Sequence, residues 1–182
     1  MAGIKKILTS CLLLLVVLPG LTSFFLPAEN LQIRIYAHLK LYNIQLIVNT
    51  GSYKIIGDAN VVAESNGESV FLLNLKGDSI ELKQNAMRVG TYKYIKFAGN
   101  DATELKFKIL NPDRKPRIYQ NNLSFAVFEE NIRVINEVVL DNYIAGVTEA
   151  EAGSRSTQEF YKVQAILART FALAHINKHV TE

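Results

Sequence analysis

The feature that most restricts this chain's fold is a run of apolar and polar residues in alternation, broken by turn signals, from Leu31 to Ile135. Ile33, Ile35 and Ala37 alternate with Gln32, Arg34 and Tyr36, the period of two of a half-buried strand. Ile44, Leu46 and Val48 repeat the pattern and end at Asn49-Thr50-Gly51, after which Ser52 to Ile56 resumes it, so Tyr42 to Ile56 reads as a hairpin. Further strands fit Ala59 to Glu64, Ser69 to Leu75, Ser79 to Leu82, Tyr92 to Ala98 and Glu104 to Leu110. Between them stand Asn66-Gly67, Gly77-Asp78, Gly90 and Gly99-Asn100, residue types that accept positive φ or a local side-chain turn. The polar, twice proline-bearing Asn111 to Pro116 reads as a loop and as the best internal boundary. Beyond it, Leu123 to Phe128 and Ile132 to Ile135 flank Glu129-Glu130-Asn131 as a tight hairpin.

The period changes near the end. Phe160, Val163, Leu167, Phe171 and Ala174 recur at three- and four-residue steps and share one face of a helix. Ser156 with Glu159 three residues on reads as a capping box that starts it. Glu149 and Glu151 then fall just before the helix, with Gly153 as the loosest joint of that segment. The fold class expected is mainly β with a late α-helix (α+β): antiparallel strands and hairpins, then one helix.

At 182 residues the chain has room for one domain with a real core. Its formal charge of +3 is a slight excess without a basic block, which gives no reason to expect a nucleic-acid partner. Lys5 and Lys6, the apolar run Leu8 to Leu18, then Pro19 and Gly20 have the three-part layout of a secretory signal. The expectation is an exported, extracytoplasmic product in which residues 1–26 are a signal peptide or an N-terminal anchor, with any membrane association made through that segment. The single cysteine, Cys11, belongs to it, so the remainder offers no thiol for disulfides or zinc. His175 and His179 share a helical face, yet no third ligand accompanies them, and His38 stands alone; no metal and no cofactor are expected.

Tyr143, Gly146, Val147 and Glu151, followed by Glu159, Lys162, Gln164, Ala165, Ala168, Arg169, Thr170, Phe171 and Ala172, form the pattern Y-x-x-G-V-x-x-x-E, then E-x-x-K-x-Q-A-x-x-A-R-T-F-A. Upstream stand Ile135, Asn136, Val138, Leu140 and Asp141. This set resembles the signature of the SpoIID/LytB family, stage II sporulation protein D and the amidase enhancer LytB. The resemblance covers the last third of the chain and divides it into 1–26, a β-rich 27–116, and a SpoIID/LytB-like segment 117–182 that resembles an incomplete, C-terminally truncated family domain. Two positions depart from the pattern: Gln120 stands where many members have glycine, and Ala152 where methionine is usual.

The resemblance implies a peptidoglycan-acting protein that cleaves glycan strands by lytic transglycosylation, with Glu151 as acid/base. Such a carboxyl must stay protonated near neutral pH to protonate the glycosidic oxygen. It then takes the proton of the muramic C6 hydroxyl as the 1,6-anhydro ring closes, with no second carboxylate required. By the same resemblance Gln164, Arg169 and Tyr143 bind substrate or brace the site, and Glu149 matches no catalytic position. The implied partners are peptidoglycan glycan strands and a cell-wall amidase. A non-catalytic, wall-binding enhancer of an amidase and an inactive fragment stay open as alternatives.

Overall fold

The computed structural model describes residues 30–100 and 102–175. The leader with Cys11, and His179, lie outside the described residues. In chain order the strands are β1 (Asn30–Ile35), β2 (Asn43–Thr50), β3 (Ser52–Gly57), β4 (Asn60–Asn66), β5 (Val70–Lys76) and β6 (Ser79–Gln84). There follow β7 (Met87–Tyr92), β8 (Tyr94–Ala98), β9 (Glu104–Ile109), β10 (Arg117–Gln120), β11 (Asn122–Phe128) and β12 (Asn131–Val139). Two helices follow among the described residues, α1 (Leu140–Ala152) and α2 (Gln158–His175). Mainly antiparallel β with a late helical part is therefore what forms, with two helices in place of one.

The strands make two six-stranded sheets, β1-β12-β11-β8-β3-β4 and β10-β9-β2-β5-β6-β7. Alternation sends one set of side chains from each sheet inward. Ile44, Leu46, Phe71 and Phe107 of one sheet meet Ile55, Ile95, Phe97 and Phe125 of the other in one buried cluster. Phe71 meets Phe97 edge-on at 5.0 Å between ring centroids, and Phe107 stacks on Phe125 at 6.4 Å. The two sheets are thus joined as a sandwich by an aromatic core.

Three local expectations change. Tyr42 to Ile56 is not a hairpin: β2 pairs with β5 and β9, and β3 with β4 and β8, so the chain changes sheets at Gly51. Gly51 has φ +78, and a Cβ there would lie 2.6 Å from Thr103 Cγ2, so the corner is closed against a fully buried threonine. Tyr92 to Ala98 likewise splits between sheets. Asp58 Oδ1 accepts from the backbone N–H of both Lys93 and Tyr94 at 3.0 Å, which fixes that crossing. The tight hairpin β11–β12 forms as expected, with Phe128 opposite Asn131 and both Glu129 and Glu130 at positive φ, the two-residue geometry that matches strand twist.

The third change concerns the helical part. Asn142 to Ala152 is helical, because Leu140, Ile144 and Thr148, at i, i+4, i+8, bury one side of α1 against the sandwich end and α2. Gly153 at φ +67 ends it, and its N–H donates to the Glu149 carbonyl at 3.0 Å. Glu149 and Glu151 therefore ride on a helix instead of a loop. The start of α2 is also shifted by one residue: Thr157 Oγ1 accepts from Phe160 N at 3.3 Å. Ser156 instead donates to the Ala152 carbonyl, and Glu159 pairs with Lys162 at 3.0 Å.

A small second cluster docks the helices. Leu31, Val138, Leu140 and Ile144 receive Ala172, with Ala165 and Ala168 packed alongside. Small side chains let the helix axes approach. The larger apolar residues of α2 face solvent, with Ile166 65% and Phe171 63% exposed. Among the described residues no helix is long and apolar enough to cross a membrane.

Candidate functional site at the first helix

The site is built on a corner between β10 and β11. Asn121 there has φ +63, a conformation asparagine tolerates better than most residues. Its Oδ1 accepts from Val139 N at 3.3 Å and from Asn142 Nδ2 at 3.4 Å, which ties the corner to the start of α1. Asn136, buried in β12, donates from Nδ2 to the carbonyls of Gln120 and Asn122, each at 2.9 Å. A polar side chain at this core position is stable because both of its amide protons are used.

From that corner α1 projects with two clefts beside it. One, of about 610 Å³, lies between α1 and the strand ends, with Ile33, Tyr119, Asn136, Tyr143, Gly146 and Glu149 on its walls. A Cβ added at Gly146 would meet nothing within 4 Å, so this side of the helix is open. The other, of about 500 Å³, lies between the two helices and is lined by Asp141, Thr148, Glu149, Tyr161 and Arg169.

Tyr143 is half-buried, packed on the small cluster while lining the first cleft. Arg169 reaches from α2 to Asp141 in the first turn of α1 and donates to its Oδ1. Both partners are largely exposed, so the pair orients the helices more than it stabilises them. Tyr161 donates to the Gly153 carbonyl, tying α2 to the end of α1. Gln164 is half-buried on α2. Glu151 is exposed near the end of α1, and its side chain makes no hydrogen bond or ion pair among the described residues. It lines neither cleft, whereas Glu149 lines both. Tyr143, Arg169 and the two glutamates are thus gathered on one helix pair, but the clefts converge on Glu149. Spacing along a helix could have shown this: two residues apart is a rotation of about 200°, so the glutamates face different ways.

Among the described residues no group of three or more His, Cys, Asp or Glu side chains could hold a metal ion. Tyr119, at the edge of the first cleft, has its hydroxyl pushed well above the usual tyrosine range, chiefly by burial.

Residues 128–182 match the family model SpoIID, described as Stage II sporulation protein. Over those residues the chain is similar to the SpoIID family. The SpoIID segment contains β12, α1 and α2, the elements that make both clefts' helical walls. An uncharacterized protein of Brachyspira hyodysenteriae (strain ATCC 49526 / WA1) is 33% identical to this chain over 64 residues, 35% of this chain and 17% of that protein. The matched stretch therefore spans about a sixth of the relative's length. No solved structure matches.

Proposed function

We propose that this chain is an exported, peptidoglycan-acting protein that presents the SpoIID glutamate, Glu151, to a glycan strand for lytic transglycosylation. The observation that carries the reading is the SpoIID match over 128–182, within which Glu151 closes the Y-x-x-G-V-x-x-x-E run. The rest of that run has structural work: Tyr143 packs on the helical cluster, and Gly146 leaves the cleft side of α1 open. Glu151 has no such work among the described residues, which suits a group kept for chemistry.

In the reaction, the Glu151 carboxyl gives its proton to the glycosidic oxygen after N-acetylmuramic acid, and the C1–O bond breaks. The resulting carboxylate takes the proton of the muramic C6 hydroxyl while O6 bonds to C1, so the acid is regenerated and no water is consumed. Acid catalysis of this kind needs a carboxyl shielded from water. On this exposed helix face the bound glycan itself supplies the shielding.

That exposure also favours a second reading, in which the segment is a LytB-like, wall-binding enhancer of an amidase and Glu151 is not catalytic. Incubating the protein with glycan strands and assaying 1,6-anhydromuramyl ends separates the two. The parent is expected to form these ends and Glu151→Gln to lose them. Equal yields from both would remove Glu151 from the chemistry. Amidase stimulation that survives Glu151→Gln, with no anhydro ends from either protein, would establish the enhancer reading.

A further inference from the structure

A second binding feature lies away from the helices, where the turn after β1 faces the loop between β9 and β10. It is a cleft of about 640 Å³ whose walls include Tyr36, His38, Arg114, Lys115, Arg117 and Tyr119. Both flanking segments are closed by their own backbone hydrogen bonds, Leu39 N to Tyr36 O at 2.9 Å and Arg114 N to Ile109 O at 3.2 Å. The loop's only carboxylate, Asp113, is occupied by Lys108 at 3.2 Å. Arg114 and Lys115 have no carboxylate partner among the described residues. The cleft therefore carries an excess of positive charge, with Arg114 and Lys115 unengaged by a carboxylate and Arg117 beside the Tyr119 hydroxyl.

Its apolar wall is held in place. Tyr36 has φ +55, a region that a tyrosine enters only under strain. Its ring stacks on Phe107 at 5.3 Å and meets Tyr119 edge-on at 6.4 Å, so core packing fixes the strained residue where it lines the cleft. Aromatic faces beside guanidinium groups suit a ligand with flat C–H faces and acidic substituents, which is the make-up of an acidic saccharide.

The cleft is not isolated. Ile35, Arg117 and Tyr119 line both it and the groove beside α1, so the two form one path along β10. The charge changes along that path: Arg114 and Lys115 at one end, Arg117 where the two clefts meet, and Glu104 and Glu149 at the other end. A nucleic acid, with a phosphate at every step, would meet those glutamates. A glycan that carries its carboxylates on alternate sugars can place one at the cations and a neutral sugar beside the glutamates.

We propose that Arg114, Lys115 and Arg117, against Tyr36 and Tyr119, form a subsite for the carboxylate-bearing sugar of an alternating acidic glycan that continues along β10 to α1. The inference rests on the reading above only for the identity of the glycan, and its test does not depend on catalysis. Soluble peptidoglycan glycan strands with free muramic carboxylates are titrated by calorimetry into the whole protein, beside the same strands with those carboxylates converted to amides. The parent is expected to bind the acidic strands about tenfold tighter than the amidated ones, as a few exposed charge contacts provide. Arg114→Gln/Lys115→Gln/Arg117→Gln should bind both forms at the parent's amidated level, with its urea midpoint unchanged because all three residues are exposed. Discrimination retained by the triple variant, no discrimination or no binding by the parent, or equal displacement by single-stranded DNA would each overturn the assignment. Loss of discrimination with anhydro ends still made by Glu151→Gln would instead sink the catalytic reading alone.

Discussion

The sharpest structural prediction concerns Asn136. In a β-sandwich an inward polar residue costs stability unless its groups are paired, and here both protons of one Nδ2 are donated, at 2.9 Å each, to the carbonyls on either side of Asn121. Asn136→Ala removes two hydrogen bonds and leaves two part-buried acceptors, an expected loss of about 2–3 kcal/mol. For a chain of this size that is a fall in melting temperature of about 5–10 °C. Asn136→Asp keeps the volume but turns a carboxylate oxygen toward two carbonyl oxygens, so it should cost more than the alanine. Urea unfolding of the two variants and the parent at neutral pH, with equal m-values, reads the difference. A loss below about 0.5 kcal/mol for alanine, the ordinary scatter of surface substitutions, would show that the amide is not what holds the corner. Aspartate tolerated as well as alanine would refute the donor role specifically.

Two further outcomes follow from the sandwich. Gly51→Ala must place a Cβ 2.6 Å from a buried methyl at φ +78, an expected loss of about 2–4 kcal/mol, while Gly67→Ala at φ +96 meets nothing within 4 Å and should lose only about 1 kcal/mol in the same unfolding assay. Burial raises the Tyr53 hydroxyl from 10.0 to about 12, so the unfolded chain releases that proton first and stability is full below about pH 10, then falls as pH rises toward 12. Tyr53→Phe should flatten that alkaline limb relative to the parent, and an unchanged limb would show that another group governs it.

Strand identity was legible because alternation is local: Ile44-Leu46-Val48 needs only the pleat and one buried face to be read as β. Strand partners were not legible. Asn49-Thr50-Gly51 carries the residues of a hairpin turn, but the glycine serves a sheet crossing against Thr103, which lies far along the chain. Arg117–Gln120 was missed because a four-residue edge strand has too few residues for a pattern and follows a proline loop. The first helix hid behind its glycine and its polar residues, since Leu140, Ile144 and Thr148 supply only a narrow apolar line. In the second helix the large apolar stripe of Phe160, Val163, Leu167 and Phe171 is exposed, and Ala165, Ala168 and Ala172 make the contact with the small cluster. The basic cleft escaped notice for a related reason. Its cations lie in a segment marked as a loop, and its aromatic wall comes from a turn distant in sequence.

The family-like residues can be separated by what the fold asks of them. Asn136 fixes the corner, Asp141 and Arg169 join the helices, and Ala165, Ala168 and Ala172 set their spacing. Lys162 binds Glu159 on its own helix, and Thr170 Oγ1 donates back to the Ile166 carbonyl. Each of these has a structural role that would hold whatever the protein acts upon. Glu151 stands apart: its side chain makes no hydrogen bond or ion pair among the described residues, on an exposed side of a helix whose end is fixed by Gly153 and, through its carbonyl, by Tyr161. Glu151 is thus a signature residue to which the fold gives no side-chain hydrogen bond or ion pair, so Glu151→Gln should leave the urea midpoint within the scatter of surface substitutions, and any change it makes in the anhydro-end assay reads chemistry apart from stability.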